Sequence, residues 1–383
     1  MGLPVVYAQR ELAGSLRQGH PWIYRDRLTQ EPHLPSGTWV QVQCGSFQAY
    51  GLWDAESPIA VRVFSWHCVP DDVWFAERFR LAWDLRAPIR NERTSAYRWV
   101  YGEGDGIPGV VVDLYNDYAV IELYAESLHT VLDWVVDGLK ECCRLKGVLL
   151  RGEPVQRLLG RETPRDLVVE ENGLRLRVDL LAGQKTGLYL DHRQNRQYLE
   201  TWCAGKRVLN CFAYTGAFAL YAIRGGANEV ISADVAAPCA GEAYRNLTLN
   251  GFEPDAHLFV IADCFDLLEQ YAAEGQRFDL VILDPPSLAR SKKNLHAALR
   301  AYARLNQAAL RCLATGGLLA TASCTSQVSA EAFREVLADA ARQAGRRLLV
   351  IHEAGHALDH PVPAHFPEGR YLKFVLARVG DIV

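Results

Sequence analysis

Residues 206–218 read "KRVLNCFAYTGAF", and the fold turns on them. A short apolar run, Val208 and Leu209, ends in the small polar Asn210; a turn carrying Gly216 then opens into an apolar helix. A buried parallel strand that delivers its last side chains to a crevice has this profile. Downstream, "NEVISADV" (228–235), "AHLFVIADC" (256–264), "FDLVILDPP" (278–286) and "GLLATASCT" (317–325) repeat it. Helical stretches, among them 295–314 and 329–345, lie between the strands. Strands alternating with helices predict parallel pairing in a doubly wound, Rossmann-like α/β sheet. "RRLLVIHEAG" (346–355) and "RYLKFVLARV" (370–379) add two more strands, separated by the long loop "LDHPVPAHFPEG".

Upstream of residue 181 the rhythm differs. Residues 1–72 contain short strands such as "TWVQVQC" and "IAVRVFS", separated by Pro, Gly and Ser, and predict a β-rich module. Residues 73–180 begin with Trp74, Phe75, Phe79 and Trp83 at helical spacing, best read as core. A helix at about 128–144 then falls between strands, a β-β-α-β-β order that predicts a second small α/β domain. Residues 181–383 form the doubly wound domain. A chain of 383 residues is long for one core, so a division into domains is expected.

Composition narrows the class. The chain is 49% apolar and 22% charged, ordinary for a soluble globular protein. No apolar run approaches the roughly 18 residues of a membrane span, and the N-terminus lacks an export pattern. The expectation is a cytoplasmic protein without membrane contact. Ten cysteines occur without a C-x-x-C pair, so reduced thiols are expected and no metal. The net charge of −4 argues against tight non-specific binding to nucleic acid.

In a doubly wound sheet, ligands bind beyond the carboxyl ends of the strands. Those ends carry Asn210, followed by Phe212 and Gly216 in the first loop, then Asp234, Asp263, Asp284 and Cys324. Asp234 lies eighteen residues after Gly216, the spacing at which an acid binds a ribose diol. The first loop has a single glycine, so a pyrophosphate would lack its close-approach backbone. A ligand with ribose and adenine but no phosphate fits better, and S-adenosylmethionine is the expected cofactor. Any one acid at a strand end is as readily a solvated turn residue; the ordered series carries the reading.

"DPPS" (284–287) and "SCTS" (323–326) carry the chemistry. Two prolines stiffen the backbone and leave carbonyls facing the crevice. In amino-methylating enzymes a related Asp/Asn-Pro-Pro motif is completed by an aromatic that stacks on the base. Ser287 stands in that place, which points to a carbon target, where a thiol is useful. A cysteine in an apolar strand is more often a small hydrophobe, and Cys211, Cys264 and Cys312 are read that way. Cys324 is the candidate nucleophile because it closes the strand beside Asp284.

With these residues assembled, the chain resembles the bacterial large-subunit ribosomal RNA cytosine carbon-5 methyltransferases that carry a PUA domain. "GHPWIY" (19–24), "GEGDGIPGVVVDLYND" (102–117), "GQKTGLYLDHRQNR" (183–196), "NCFAYTGAF", "DPPS" and "SCTS" carry the resemblance over nearly the whole chain. It implies an S-adenosylmethionine-dependent enzyme acting on ribosomal RNA, with Asp191 and Arg193 joining Ser287 in the substrate shell. Cys324 would add to carbon 6 of cytosine, and Asp284 would act at ring N3. His192 stands where the family usually has glutamine, and Asn210 where an acid is common. Arg290, Lys292 and Lys293, just after "DPPS", are candidate RNA contacts, and a homodimer is a further expectation. Two other classes stay open at the level of sequence: transfer to an amine or small molecule, and a nicotinamide oxidoreductase on the same fold.

Overall fold

The computed structural model describes residues 2–160, 163–183, 185–253, 257–289 and 291–381. The chain divides into two compact units. One comprises Met1–Val169, Val178–Leu190 and Leu358–Gly369; the other comprises Glu170–Arg177, Asp191–Ala357 and Arg370–Val383.

The first unit holds two five-stranded sheets. Strands β1 (Val5–Tyr7), β2 (Trp22–Tyr24), β3 (Trp39–Cys44), β4 (Phe47–Trp53) and β5 (Ile59–Ser65) form one, in the order β1-β3-β4-β5-β2. In β3 the buried Val40, Val42 and Cys44 alternate with half-buried Gln41 and Gln43, the signature of a strand with one face in the core. A short helix, α1 (Ala13–Arg17), precedes β2.

The second sheet comprises β6 (Ala96–Tyr101), β7 (Val110–Tyr115), β8 (Tyr118–Leu123), β9 (Gly147–Leu150) and β10 (Gln156–Gly160), in the order β10-β9-β8-β7-β6. Helices α2 (Asp72–Leu85) and α3 (Leu132–Cys142) accompany it. Asp71 caps α2 by accepting from the Trp74 amide, and Phe75 and Phe79 are buried in the cluster that includes Trp99. Three strands precede α3, one more than the sequence order suggested, because the 3-10 turn Gly102–Asp105 separates β6 from β7. The stretch "LRLRVDLL" does not join this sheet. It supplies β12 (Leu174–Val178), which among the described residues pairs only with β11 (Leu167–Glu171). Asn172 and Gly173, both at positive φ, make the tight turn of that hairpin.

The second unit is built on a seven-stranded sheet: β13 (Arg207–Cys211), β14 (Glu229–Asp234), β15 (His257–Ile261), β16 (Phe278–Leu283), β17 (Leu313–Ser323), β18 (Arg346–Ala354) and β19 (Lys373–Asp381). Their order is β15-β14-β13-β16-β17-β19-β18. The first five run parallel, and β19 lies antiparallel between β17 and β18. β13 sits at the centre of the five parallel strands, with the chain extending from it first to one side and then to the other. The order therefore reverses between β13 and β16, where such sheets open a ligand crevice. Helices α4 (Arg193–Glu200), α5 (Ala217–Arg224), α6 (Ala237–Leu249), α7 (Cys264–Ala273), α8 (Leu295–Cys312) and α9 (Ala330–Gln343) complete the unit. Among the described residues, no helix is long and apolar enough to cross a membrane.

A buried charge cluster anchors α4. Glu171 accepts from Arg196 Nε at 2.9 Å and Nη2 at 2.7 Å and from the Tyr221 hydroxyl at 3.0 Å, while Arg193 Nε lies 3.8 Å away. All three charged residues are buried. Removing one partner of such a group leaves charge without compensation in a poorly solvated place. Glu171→Gln should therefore destabilise the protein by about 3–5 kcal/mol, read as a lower urea midpoint; a change within error would show that the cluster contributes nothing.

Candidate active site

The chain after β13 enters a strained loop. Phe212, Tyr214 and Gly216 have φ values of 59°, 47° and 83°. For the two aromatics this conformation is costly and is held by surrounding contacts. Ala213 N donates to Ala233 O at 3.0 Å, Phe212 N to Cys264 Sγ at 3.2 Å, and Tyr214 N to Asp234 Oδ2 at 2.9 Å. At Gly216 a Cβ would come within 3.1 Å of the Ala243 Cβ, so both conformation and space favour glycine. Asp234, half-exposed at the end of β14, also accepts from Ala236 N at 2.9 Å. Its carboxylate is thereby held in place at the strand end, and its remaining acceptor positions suit a ligand with ribose hydroxyls.

The remaining acids differ in setting. Asp263 is exposed and caps α7, accepting from Phe265 N at 2.8 Å. Asn210 is buried, and its amide nitrogen donates to Ser232 Oγ at 3.2 Å, within the sheet. Ser232 Oγ in turn lies 2.8 Å from His257 Nε2. The half-buried Phe212 contacts Phe265 edge-on at 6.2 Å.

On the other side of the switch point, β16 delivers Asp284 and β17 delivers Cys324. The two strands are paired neighbours, so both residues emerge at one edge. The thiol of Cys324 donates to Pro285 O at 3.7 Å. Burial, then the charges of Asp284 and Asp191, push its pKa up to about 12. Asp191 itself is buried and accepts from the Tyr371 hydroxyl at 2.7 Å. His192 Nε2 lies 3.2 Å from Asp284 Oδ1. The Asn195 amide nitrogen approaches His192 Nδ1 at 3.0 Å and donates to Gly355 O at 3.1 Å. Asp191, His192, Asp284 and Cys324 thus gather at one place. Arg193 is buried beside Glu171 and is not a surface arginine.

Three further residues hold this cluster together, and of them only Thr325 lies in a quoted motif, "SCTS". Thr325 is buried, and its Oγ1 lies 2.8 Å from the Tyr302 hydroxyl and 3.3 Å from Ser287 Oγ, and accepts from Leu288 N at 3.1 Å. It pins the "SCTS" turn to the "DPPS" turn and to α8. Tyr302 is the second such residue. Lys373 is the third: it is buried, with Nζ donating to Thr325 O at 2.6 Å and Tyr371 O at 2.7 Å. The signal for Lys373 is its place inside "YLKFVLA", since lysine in an apolar strand must find partners. The thiols read as core are so: Cys211, Cys264 and Cys312 are buried. Of the basic run after "DPPS", Lys293 is exposed, while Arg290 and the side chain of Lys292 lie outside the described residues.

Comparison with known proteins identifies the family. The S-adenosylmethionine-dependent methyltransferase family matches residues 147–360, and the PUA-like domain family matches residues 8–66. Ribosomal RNA large subunit methyltransferase I of Photobacterium profundum is 36% identical over 96% of this chain and 97% of its own length. The protein of the same name from Vibrio cholerae is 37% identical over 98% of this chain and 99% of its own. A methyltransferase structure solved with S-adenosylhomocysteine shares the fold at a TM-score of 0.89 and 24% identity, over 98% of this chain and 100% of that one. The nicotinamide alternative is thereby set aside, and S-adenosylmethionine is the cofactor. The chain belongs to the S-adenosylmethionine-dependent methyltransferases, in the family of the ribosomal RNA large subunit methyltransferase I proteins.

Proposed function

We propose that this enzyme methylates carbon 5 of a cytosine in large-subunit ribosomal RNA, through a covalent adduct of Cys324. The relatives' name supports the RNA substrate. The observation that carries the chemistry is the emergence of Asp284 and Cys324 from adjacent parallel strands, with the thiol against the Pro285 carbonyl. Residues 1–72 and 73–180 are assigned to RNA binding and residues 181–383 to methyl transfer, in the cytoplasm. The PUA-like match within residues 8–66 supports the first assignment.

The high proton affinity of Cys324 shapes the mechanism. Carbon 5 of cytosine is a poor nucleophile until a sulfur bonds to carbon 6. As that bond forms, the thiol proton must leave, and Asp284 is the group we assign to accept it and pass it to ring N3. Sulfur on carbon 6 and hydrogen on N3 leave the ring neutral and carbon 5 electron-rich. When bound, S-adenosylmethionine supplies the methyl that carbon 5 takes up. Loss of the carbon-5 proton to solvent and departure of the Cys324 sulfur, which takes back the N3 proton through Asp284, then restore the aromatic ring and the resting thiol. Asp234 is assigned to the ribose hydroxyls, with Phe212, Gly216 and Asp263 lining the same half of the site. Asn210, hydrogen-bonded within the sheet, is assigned to orienting that half.

Asp234→Ala should weaken S-adenosylmethionine binding by roughly 1.5–3 kcal/mol, the scale of a hydrogen bond to a charged group; unchanged affinity in calorimetry would remove the ribose assignment. An RNA substrate carrying 5-fluorocytosine at the target should become trapped on the enzyme, because fluorine replaces the proton that must leave. The adduct should survive denaturing electrophoresis and map by mass spectrometry to the peptide containing Cys324. Undiminished methylation by a folded Cys324→Ala protein would overturn the nucleophile assignment.

A further inference from the structure

Two acids crowd Cys324. A thiolate there would meet the Asp284 and Asp191 charges in a buried setting, and both oppose its formation. Lys373 is the opposing cation. β19 begins at Lys373, which is paired with Ser323 in the antiparallel register, one residue from Cys324. Its ammonium donates to the carbonyl of Thr325, the residue immediately after the nucleophile, and to the Tyr371 carbonyl. Burying an ammonium is expensive. Two carbonyls alone would be served as well by a neutral donor, so the charge itself calls for a reason. The thiolate that must form next to it supplies one.

We propose that Lys373 is a positioning residue for Cys324: it clamps the turn that follows the nucleophile and provides the buried positive charge against which the thiolate forms. The proposal rests on the assignment of Cys324 as nucleophile. Burial pushes the pKa of Lys373 down to about 8, against the pull of Cys324 in the other direction. Below that pH the ammonium is present, and each pH unit raises the thiolate about tenfold. Above it, the thiolate–ammonium form and the thiol–amine form hold the same number of protons. Their ratio no longer depends on pH, so the climb should become shallower there, with only the thiolate–amine form still rising.

Other titratable groups face the cluster. They are Asp191 and His192 before α4, Asp284 after β16, Tyr302 on α8, and His356 and Tyr371 flanking Lys373. Burial opposes a charge on His192, but Asp284 raises its pKa above the ordinary value. Burial also raises that of Tyr302. The Lys373 variants separate these groups from the lysine.

The test is the rate of Cys324 alkylation by iodoacetamide in the full-length protein between pH 6.5 and 9.5 (~3 pH units, to bracket the lysine), read on the Cys324 peptide by mass spectrometry. The wild-type rate should climb about tenfold per unit and then bend to a shallower slope near pH 8. Lys373→Met should react about tenfold more slowly at pH 7.5 and climb without that bend, methylate about tenfold more slowly, and keep its S-adenosylmethionine affinity. Lys373→Gln, which keeps a donor without the charge, should behave as Lys373→Met does. A wild-type rate that climbs without bending would overturn the proposal, and that measurement needs no variant to fold. So would a bend that persists in a folded Lys373→Met protein, because it would belong to His192 or Tyr302. Failure of the parent assignment looks different: Cys324→Ala would then methylate normally, whatever the alkylation profile of Lys373.

Discussion

The reversal of strand order between β13 and β16 is the constraint on which the site depends. β13 is bonded in parallel to β14 on one side and to β16 on the other. Connections leaving the carboxyl ends of such a pair diverge, and a crevice opens between them. The strained loop after β13 and the Asp-Pro-Pro turn after β16 both border that seam. Asp234 lies one strand to one side and Cys324 one strand to the other, so the two halves of the proposed chemistry face each other from separate loops. Strain at Phe212 and Tyr214 is sustained because Asp234, Ala233 and Cys264 each bind a backbone amide of the loop.

Electrostatics at the seam are a compromise. A cationic cofactor is favoured by carboxylates, whereas a thiolate is disfavoured by the same carboxylates. Burial, and then Asp284 and Asp191, hold Cys324 in its thiol form, which suits a nucleophile that should react only when a base is in place. A thiol of ordinary pKa would be partly ionised at rest and open to oxidation or adventitious alkylation. Transfer of its proton through Asp284 to the ring, with Lys373 compensating the charge, makes ionisation contingent on substrate.

Buried polar connections hold these parts in register. Glu171, on a hairpin outside the sheet, ties down Arg196 and approaches Arg193 at the start of α4. Asp191 and His192 immediately precede that helix, so its placement sets where they reach. Thr325 joins the turns after β16 and β17 through one hydroxyl. Such networks add precision where every member is satisfied, and lose it when one is removed.

The doubly wound sheet was legible because its strands are short apolar runs ending in Asn210, Asp234, Asp263, Asp284 and Cys324, and local pattern suffices to place those residues at one edge. The single glycine of the first loop likewise excluded a pyrophosphate from sequence alone. Small antiparallel elements were less legible. The extra strand Ala96–Tyr101 and the separation of Leu174–Val178 into its own hairpin depend on a 3-10 turn and an Asn-Gly turn that decide pairing, which periodicity does not encode. Which acid meets which partner was decided only by tertiary structure. Asn210 shares the strand-end profile of Asp234, yet its amide is engaged by Ser232 inside the sheet. Thr325, Tyr302 and Lys373 come from three elements and meet only because β17, α8 and β19 pack together. Chain pattern specifies which face a residue occupies; hydrogen bonds and charge pairs between residues distant in sequence exist only once the chain has folded.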